Sequence, residues 1–263
     1  MNIVLDSFIV HRSSFIIMAA AFAAGSINAI AGGGTLISFP TLVWMGRNPI
    51  LANATNSVAL WPASLAGAVG FRRDLAQVRR WLYLLTIPSL IGGTAGAILL
   101  LHTSEHAFIR LVPLLILGAT LLLAFQEVIS RRLNTVARAH QQPTAGWIVF
   151  VFAFQLLVGL YGGYFGAGMG ILMLAALGLI GLTDIHQMNG LKNLLTLCIN
   201  GIAAVYFTML GAVIWSDAIV MAVAGIAGAY TGAKLAKKLG RGFVRGAVIV
   251  IGITMTVALF LKQ

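Results

Sequence analysis

Residues 28–45 read NAIAGGGTLISFPTLVWM, and residues 164–179 read YFGAGMGILMLAALGL. In each, a glycine cluster (Gly32, Gly33 and Gly34; Gly166, Gly168 and Gly170) opens a short apolar stretch, residues 35–45 and 171–182. An amide-rich cluster follows: Asn53, Thr55, Asn56 and Ser57 in the first copy, Asn189, Lys192 and Asn193 in the second. An ungapped offset of 136 over residues 28–70 gives seven identities, at Ala31, Gly32, Gly34, Leu36, Asn53, Ala68 and Val69. Hydrophobicity alone would not match Gly32, Gly34 and Asn53. Eleven helical residues reach only ~16 Å, against a hydrocarbon core of ~30 Å, so neither stretch spans a bilayer alone. Pro40 is a further break in the first copy. The turns flanking such a helix must lie where protein or a water-filled cavity satisfies the backbone. Two interrupted segments at corresponding positions of two halves point to a transporter binding site.

Composition sets the solvent. Apolar residues make up 60% of the chain and charged ones 9%, with a mean hydropathy of +0.98. With repeated uncharged runs, this describes an all-α, polytopic transmembrane helical bundle. A transmembrane barrel is excluded because the runs are continuous rather than alternating. The single Cys198 allows neither a disulfide framework nor a thiolate metal cluster, and no cofactor or metal is expected. The apolar start after Arg12 runs straight into the glycine cluster and has a counterpart at 146–165, so it is read as a helix and not a cleaved signal.

Hydropathy divides the chain into 14–31, 35–45, 50–71, 81–101 and 107–128, then 146–165, 171–182, 187–210, 218–235 and 243–261. The expected organisation is an N-terminal repeat over 1–128, a polar linker over 129–145 and a C-terminal repeat over 146–263. Twelve of the 17 basic residues fall in three stretches: Arg72, Arg73, Arg79 and Arg80; Arg131, Arg132 and Arg138; Lys234, Lys237, Lys238, Arg241 and Arg245. Without interleaved aromatics they read as topology signals and not as a nucleic-acid surface. Five segments per half place all three on the cytoplasmic side, whereas four would not. An odd number inverts the second half relative to the first and puts both termini outside. The expectation is a five-plus-five inverted-topology repeat with short interrupted helices near residues 32–45 and 168–182.

Asn28, Thr35, Asn53, Thr55, Asn56 and Ser57, with Asn189, Lys192 and Asn193, form two donor-rich clusters carrying one positive charge. Glycines let backbone N–H groups approach a ligand, and a helix restarting after them presents its positive end. That lining suits a small oxyanion. The competing reading is that the amides glue helices together and that Gly92xxxGly96, Gly162xxxGly166 and Gly228xxxGly232 are packing faces. Lys192 either faces the site or snorkels to the interface five residues after Gln187. His102 to His106 matches H-x-x-E-H formally, but without a further acidic ligand nearby it is read as a hydrated turn. None of the six acidic residues lies at a segment's middle, which leaves Asp184 and His186 as candidates for ion coupling. No nucleophile, base and orienter recur on plausible faces, so an enzyme is not expected.

At Asn28 to Pro40, at Ala52 to Asn56 and in the degenerate copy from Gly166 to Asn193, the chain resembles the TauE/SafE family of sulfite and organosulfonate exporters. The second copy departs from the first, with Ala167 and Met169 between the glycines and Leu191 and Lys192 where the first has Thr55 and Asn56. The resemblance implies a multi-pass permease of a bacterial inner membrane that exports a small sulfur-containing anion. Its expected partners are that anion and the lipid bilayer, with a second copy of the chain admissible and nucleic acid not. A membrane scaffold without transport activity is the alternative.

Overall fold

In a computed structural model the chain is described except at residues 1, 31–32, 71–74, 76–77, 130–144, 181, 183, 240 and 262–263. Side chains are further excluded at 2–13, 29–30, 63, 66–70, 185, 232–239, 241 and 243–244. The expectations for Gly32, Arg72, Arg73, Arg131, Arg132 and Arg138, and for nearly all of the linker, lie outside the described residues. So do the side chains of Lys234, Lys237, Lys238 and Arg241.

The described residues form helices and no strand. The first half contributes α1 (Asn2–Ile30), α2 (Thr35–Trp44), α3 (Pro49–Gly70), α4 (Arg79–His102) and α5 (Glu105–Ala124). The second contributes α6 (Ala145–Tyr164), α7 (Met169–Leu179), α8 (Ile185–Met209), α9 (Trp215–Leu239) and α10 (Arg241–Phe260). A helix satisfies its own backbone, which is why apolar sequence in lipid adopts it. Polar caps mark three starts: Asn48 Oδ1 accepts from the Ile50 and Leu51 N–H groups at 3.0 and 3.3 Å at α3, Ser104 accepts from the Ala107 N–H at 3.3 Å at α5, and Asp184 caps α8. By length and hydropathy α4, α5, α6 and α8 are each able to cross a membrane. The helices α1, α3 and α9 are 29, 22 and 25 residues long. α1 starts at Asn2, well before the apolar run at Ser14, because the mixed stretch at 2–13, with Asp6 and Arg12 among apolar residues, continues the same helix. Both short segments are present, α2 ending at Trp44 after 10 residues and α7 starting two residues earlier and ending three residues earlier than the expected 171–182, with 11 residues.

The main helix pairings are kept when the two halves are exchanged. α1 packs on α9 as α6 packs on α4, α3 on α9 as α8 on α4, and α2 on α3 as α7 on α8. α3 and α8, like α5 and α10, pair with their own counterparts. At the α3–α8 crossing the Trp61 Nε1–H donates to the Leu197 carbonyl at 3.0 Å, between positions 136 residues apart. Near the start of α3, Thr55 Oγ1 accepts from the Ile214 N–H at 3.0 Å, beyond the end of α8. These two helices therefore run antiparallel. α5 and α10 do likewise: Thr120 lies against Gly252, and Glu127 against Arg245. A two-fold that reverses each helix relative to its counterpart is the inverted-topology repeat inferred from the loop charges.

Glycines set the closest approaches. A Cβ on Gly228 would stand 2.0 Å from the Phe22 carbonyl oxygen, and one on Gly92 2.3 Å from that of Leu156. Gly92 and Gly228 are themselves 136 residues apart, so the repeat preserves this contact in both halves. The packing-face reading holds for these glycines.

Candidate functional site

Each half turns back on itself at its glycine cluster. Gly33 (φ +90°) precedes α2 and Gly168 (φ +72°) precedes α7, in a left-handed conformation that disfavours any side chain. Asn28 Oδ1 accepts from the Gly34 N–H at 2.9 Å, closing the first turn. Tyr161 donates its hydroxyl to the Ala167 carbonyl at 2.6 Å, closing the second. Neither α2 nor α7 carries a side-chain cap at its N-cap glycine, so each offers the positive end of a helix inside the bundle. The aliphatic stem of Lys192 lies along the first turn of α7, with Cδ 3.4 Å from where a Cβ on Gly170 would stand. Lys192 is half-buried, as are Asn189 and Asn193 around it on α8.

Around α2 the polar side chains are paired across elements. Asn56 Oδ1 accepts from the Ser38 hydroxyl at 2.5 Å, tying α3 to α2. Asn53 Nδ2 donates to the Tyr164 carbonyl at 2.8 Å, tying α3 to the end of α6 in the other half. Flipping this amide would set oxygen against oxygen, so its Oδ1 must face away from Tyr164. That Oδ1 is sealed from solvent and lacks a hydrogen-bond partner among the described residues, on a side chain 1% exposed. Leaving such an acceptor unpaired costs about 1–3 kcal/mol, so Asn53 is under demand for a donor. Gln155 Oε1 is a second such acceptor, at the α4–α6 contact where its Nε2 donates to Ser89.

Two apolar grooves, about 410 and 400 Å³, contain none of the predicted site residues; Leu114, Gly118 and Leu172 line one, Val58, Trp61 and Trp215 the other. Between α2 and the α6–α7 turn sit Phe39, Phe108 and Phe165, all fully buried, with Phe39 edge-on to Phe165 at 5.4 Å and to Phe108 at 6.3 Å. The positions 136 residues away are Ala175, Ala29 and Val244, so the repeat does not copy this aromatic layer in sequence.

Several predicted residues are engaged elsewhere. Thr55 holds the Ile214 turn, and Ser57 donates to the Asn53 carbonyl one turn back on its own helix. Thr35 and Gly166 are half-buried at the turns, and His186 is exposed beside Asp184. Asp184 accepts from the Gln187 and His186 N–H groups at 3.1 and 2.8 Å, which holds its carboxyl below the ordinary 3.8. The charged form is favoured on folding, so this cap is present above the unfolded value and is lost as pH falls through the depressed one. Such a carboxylate carries no proton near neutrality. Asp184→Asn should keep the cap, and Asp184→Ala should speed amide exchange at residues 186–188 without altering the pH profile of transport. A shifted pH profile in both variants would restore Asp184 as a coupling group.

Two features escaped the sequence reading. One is the aromatic layer, whose members are ordinary apolar residues in sequence. The other is the ion pair of Arg47 with Asp217, at 2.6 and 3.1 Å. Its only signal was that both are isolated charges at segment ends.

A family model described as "Sulfite exporter TauE/SafE" matches residues 17–259. A "Probable membrane transporter protein" of Haemophilus influenzae is 26% identical over 249 residues, covering 94% of each chain. The Escherichia coli K12 "Probable membrane transporter protein YfcA" is 26% identical over 240 residues, covering 91% of this chain and 86% of that one. A Sinorhizobium protein, "Probable membrane transporter protein ORF9", is 25% identical over 251 residues, covering 95% and 92%. No solved structure matches.

Proposed function

Because the chain belongs to the TauE/SafE family and is a multi-pass membrane transporter, we propose that it carries a small sulfur-containing anion, such as sulfite or an organosulfonate, by alternating access between its two halves. The two repeats are residues 1–128 and 146–263, joined by the linker at 129–145. The membrane is a bacterial inner membrane, with the basic loops at 72–80, 129–141 and 234–245 in the cytoplasm and both termini outside. Net flux runs outward, as the family description suggests.

The observation that carries the reading is the restart of α7 inside the bundle, uncapped and with Lys192 laid along its first turn. The Lys192 stem passes beside that helix N-terminus, and a helix N-terminus and an ammonium both favour an oxyanion. The site comprises Gly168, Gly170, Asn189, Lys192 and Asn193 from one half. The other half contributes Asn28, Gly33, Gly34, Asn53 and Asn56. Thr55 and Ser57 support α3 in this arrangement.

Counterflow of labelled sulfite or a sulfonate in proteoliposomes tests the activity; saturable exchange is expected. Absence of saturable flux for every anion tried, with the bundle intact, would favour the scaffold alternative. Lys192→Met should cut the exchange rate at least about tenfold, since a charge that stabilises a desolvated anion is worth more than ~1.4 kcal/mol. Unchanged substrate handling in that variant would assign Lys192 to the lipid interface instead.

A further inference from the structure

Two ion pairs join the halves at opposite ends of the bundle. Arg47, in the turn between α2 and α3, meets Asp217 in the first turn of α9. Glu127, just past α5, meets Arg245 near the start of α10 at 2.6 Å. α9 runs unbroken for 25 residues, about 37 Å at ~1.5 Å per residue, from the first pair's end of the bundle to the α10 end. Each pair takes one partner from the first half and one from the second. Alternating access opens one face while the other stays shut, which requires one pair to part while the other holds.

We propose that these pairs are alternating latches, the Arg47–Asp217 pair closing the outer face and the Glu127–Arg245 pair the inner face. The proposal rests on the alternating-access reading of the function. The latches are unequal. The Asp217 side chain is 7% exposed and is gripped through both carboxylate oxygens, whereas Glu127 is 62% exposed and makes one contact. Removing one member of a buried pair leaves an uncompensated charge, while solvent screens an exposed one. The outer latch is also reinforced. Thr55 clamps the Ile214 turn to α3, three residues before Asp217, and the Phe39, Phe108 and Phe165 layer lies beneath. The inner face has Ala175, Ala29 and Val244 at the equivalent positions. With both pairs closed at 2.6 Å, the structure is the form shut at both faces, held more firmly on the Arg47 side.

The test uses full-length protein in proteoliposomes, in a Cys198→Ser background, with a membrane-impermeant maleimide applied to either face. Leu42→Cys reports on the Arg47 side and Leu123→Cys on the Glu127 side; both positions are fully buried, within about a turn of their pairs. Arg47→Gln should raise labelling of the Leu42→Cys reporter about fivefold or more and leave the Leu123→Cys reporter unchanged or slower. The charge-swapped Arg47→Asp, Asp217→Arg variant should return labelling toward the parent rate. Glu127→Gln should give the reverse pattern with a smaller change. Parent-like labelling in Arg47→Gln overturns the proposal, as does faster labelling of both reporters together, which marks general loosening. The expected pattern seen from the opposite membrane face supports the latches and overturns only the assigned orientation. Loss of anion exchange with the labelling pattern intact separates failure of the substrate assignment from failure of the latches.

Discussion

Valine at Gly228 is expected to prevent assembly of the bundle, and valine at Gly92 to do the same. At each position even a Cβ would fall 2.0–2.3 Å from a backbone carbonyl oxygen of the neighbouring helix, Phe22 or Leu156. Overpacking relieved by side-chain shifts costs about 1–3 kcal/mol. Here a whole helix must move, so the loss should exceed about 3 kcal/mol, a large part of the ~5–15 kcal/mol that holds a domain together. Both sites lie in pairs that the repeat uses twice, α1 with α9 and α4 with α6. Thermal melting in mild detergent, read alongside the yield of monodisperse protein, measures the effect. Gly118→Ala and Gly246→Ala are the controls, because nothing lies within 4 Å of either added carbon. A Gly228→Val protein that melts with the parent would show that α1 and α9 do not cross at this distance.

Asn53→Leu should reduce anion exchange at least about tenfold at nearly normal folded yield. The substitution removes the donor that holds the Tyr164 carbonyl at 2.8 Å, and with it the tie from α3 to the α6–α7 turn. It also deletes the unpaired Oδ1 and so relieves a buried acceptor. Stability therefore changes less than the loss of a hydrogen bond would suggest. Transport responds more strongly, because a misplaced positioning element of about 1 Å can cost on the order of a hundredfold in rate. Ser57→Ala is the comparison, since the Ser57 hydroxyl only bonds the Asn53 carbonyl within α3. Equal exchange rates for Asn53→Leu, Ser57→Ala and the parent would remove Asn53 from the transport path.

Much of the architecture was legible in residues 28–45 and 164–179, for identifiable reasons. A bilayer leaves apolar segments no alternative to the helix, so length and hydropathy sufficed to find the elements, including two too short to span. Basic residues resist translocation, so their placement in loops revealed that the halves are inverted. The glycines before α2 and α7 announced turns that need a left-handed backbone, at Gly33 and Gly168. All of these are properties of a residue and its near neighbours in a fixed solvent.

Partnership across the bundle was decided only by the tertiary structure. Asn53, Thr55 and Ser57 look alike in sequence, yet one reaches across the halves to Tyr164, one holds the turn at Ile214 and one bonds its own helix. Helical phase and the antiparallel crossing of α3 with α8 fix those directions, and neither is encoded in composition. The same holds for Arg47 and Asp217, 170 residues apart and joined only because α9 returns to the end of α2. Sequence determined the elements and their inverted repeat, because the membrane acts on each segment separately. Folding chose which polar groups meet, because those choices depend on where every segment comes to lie.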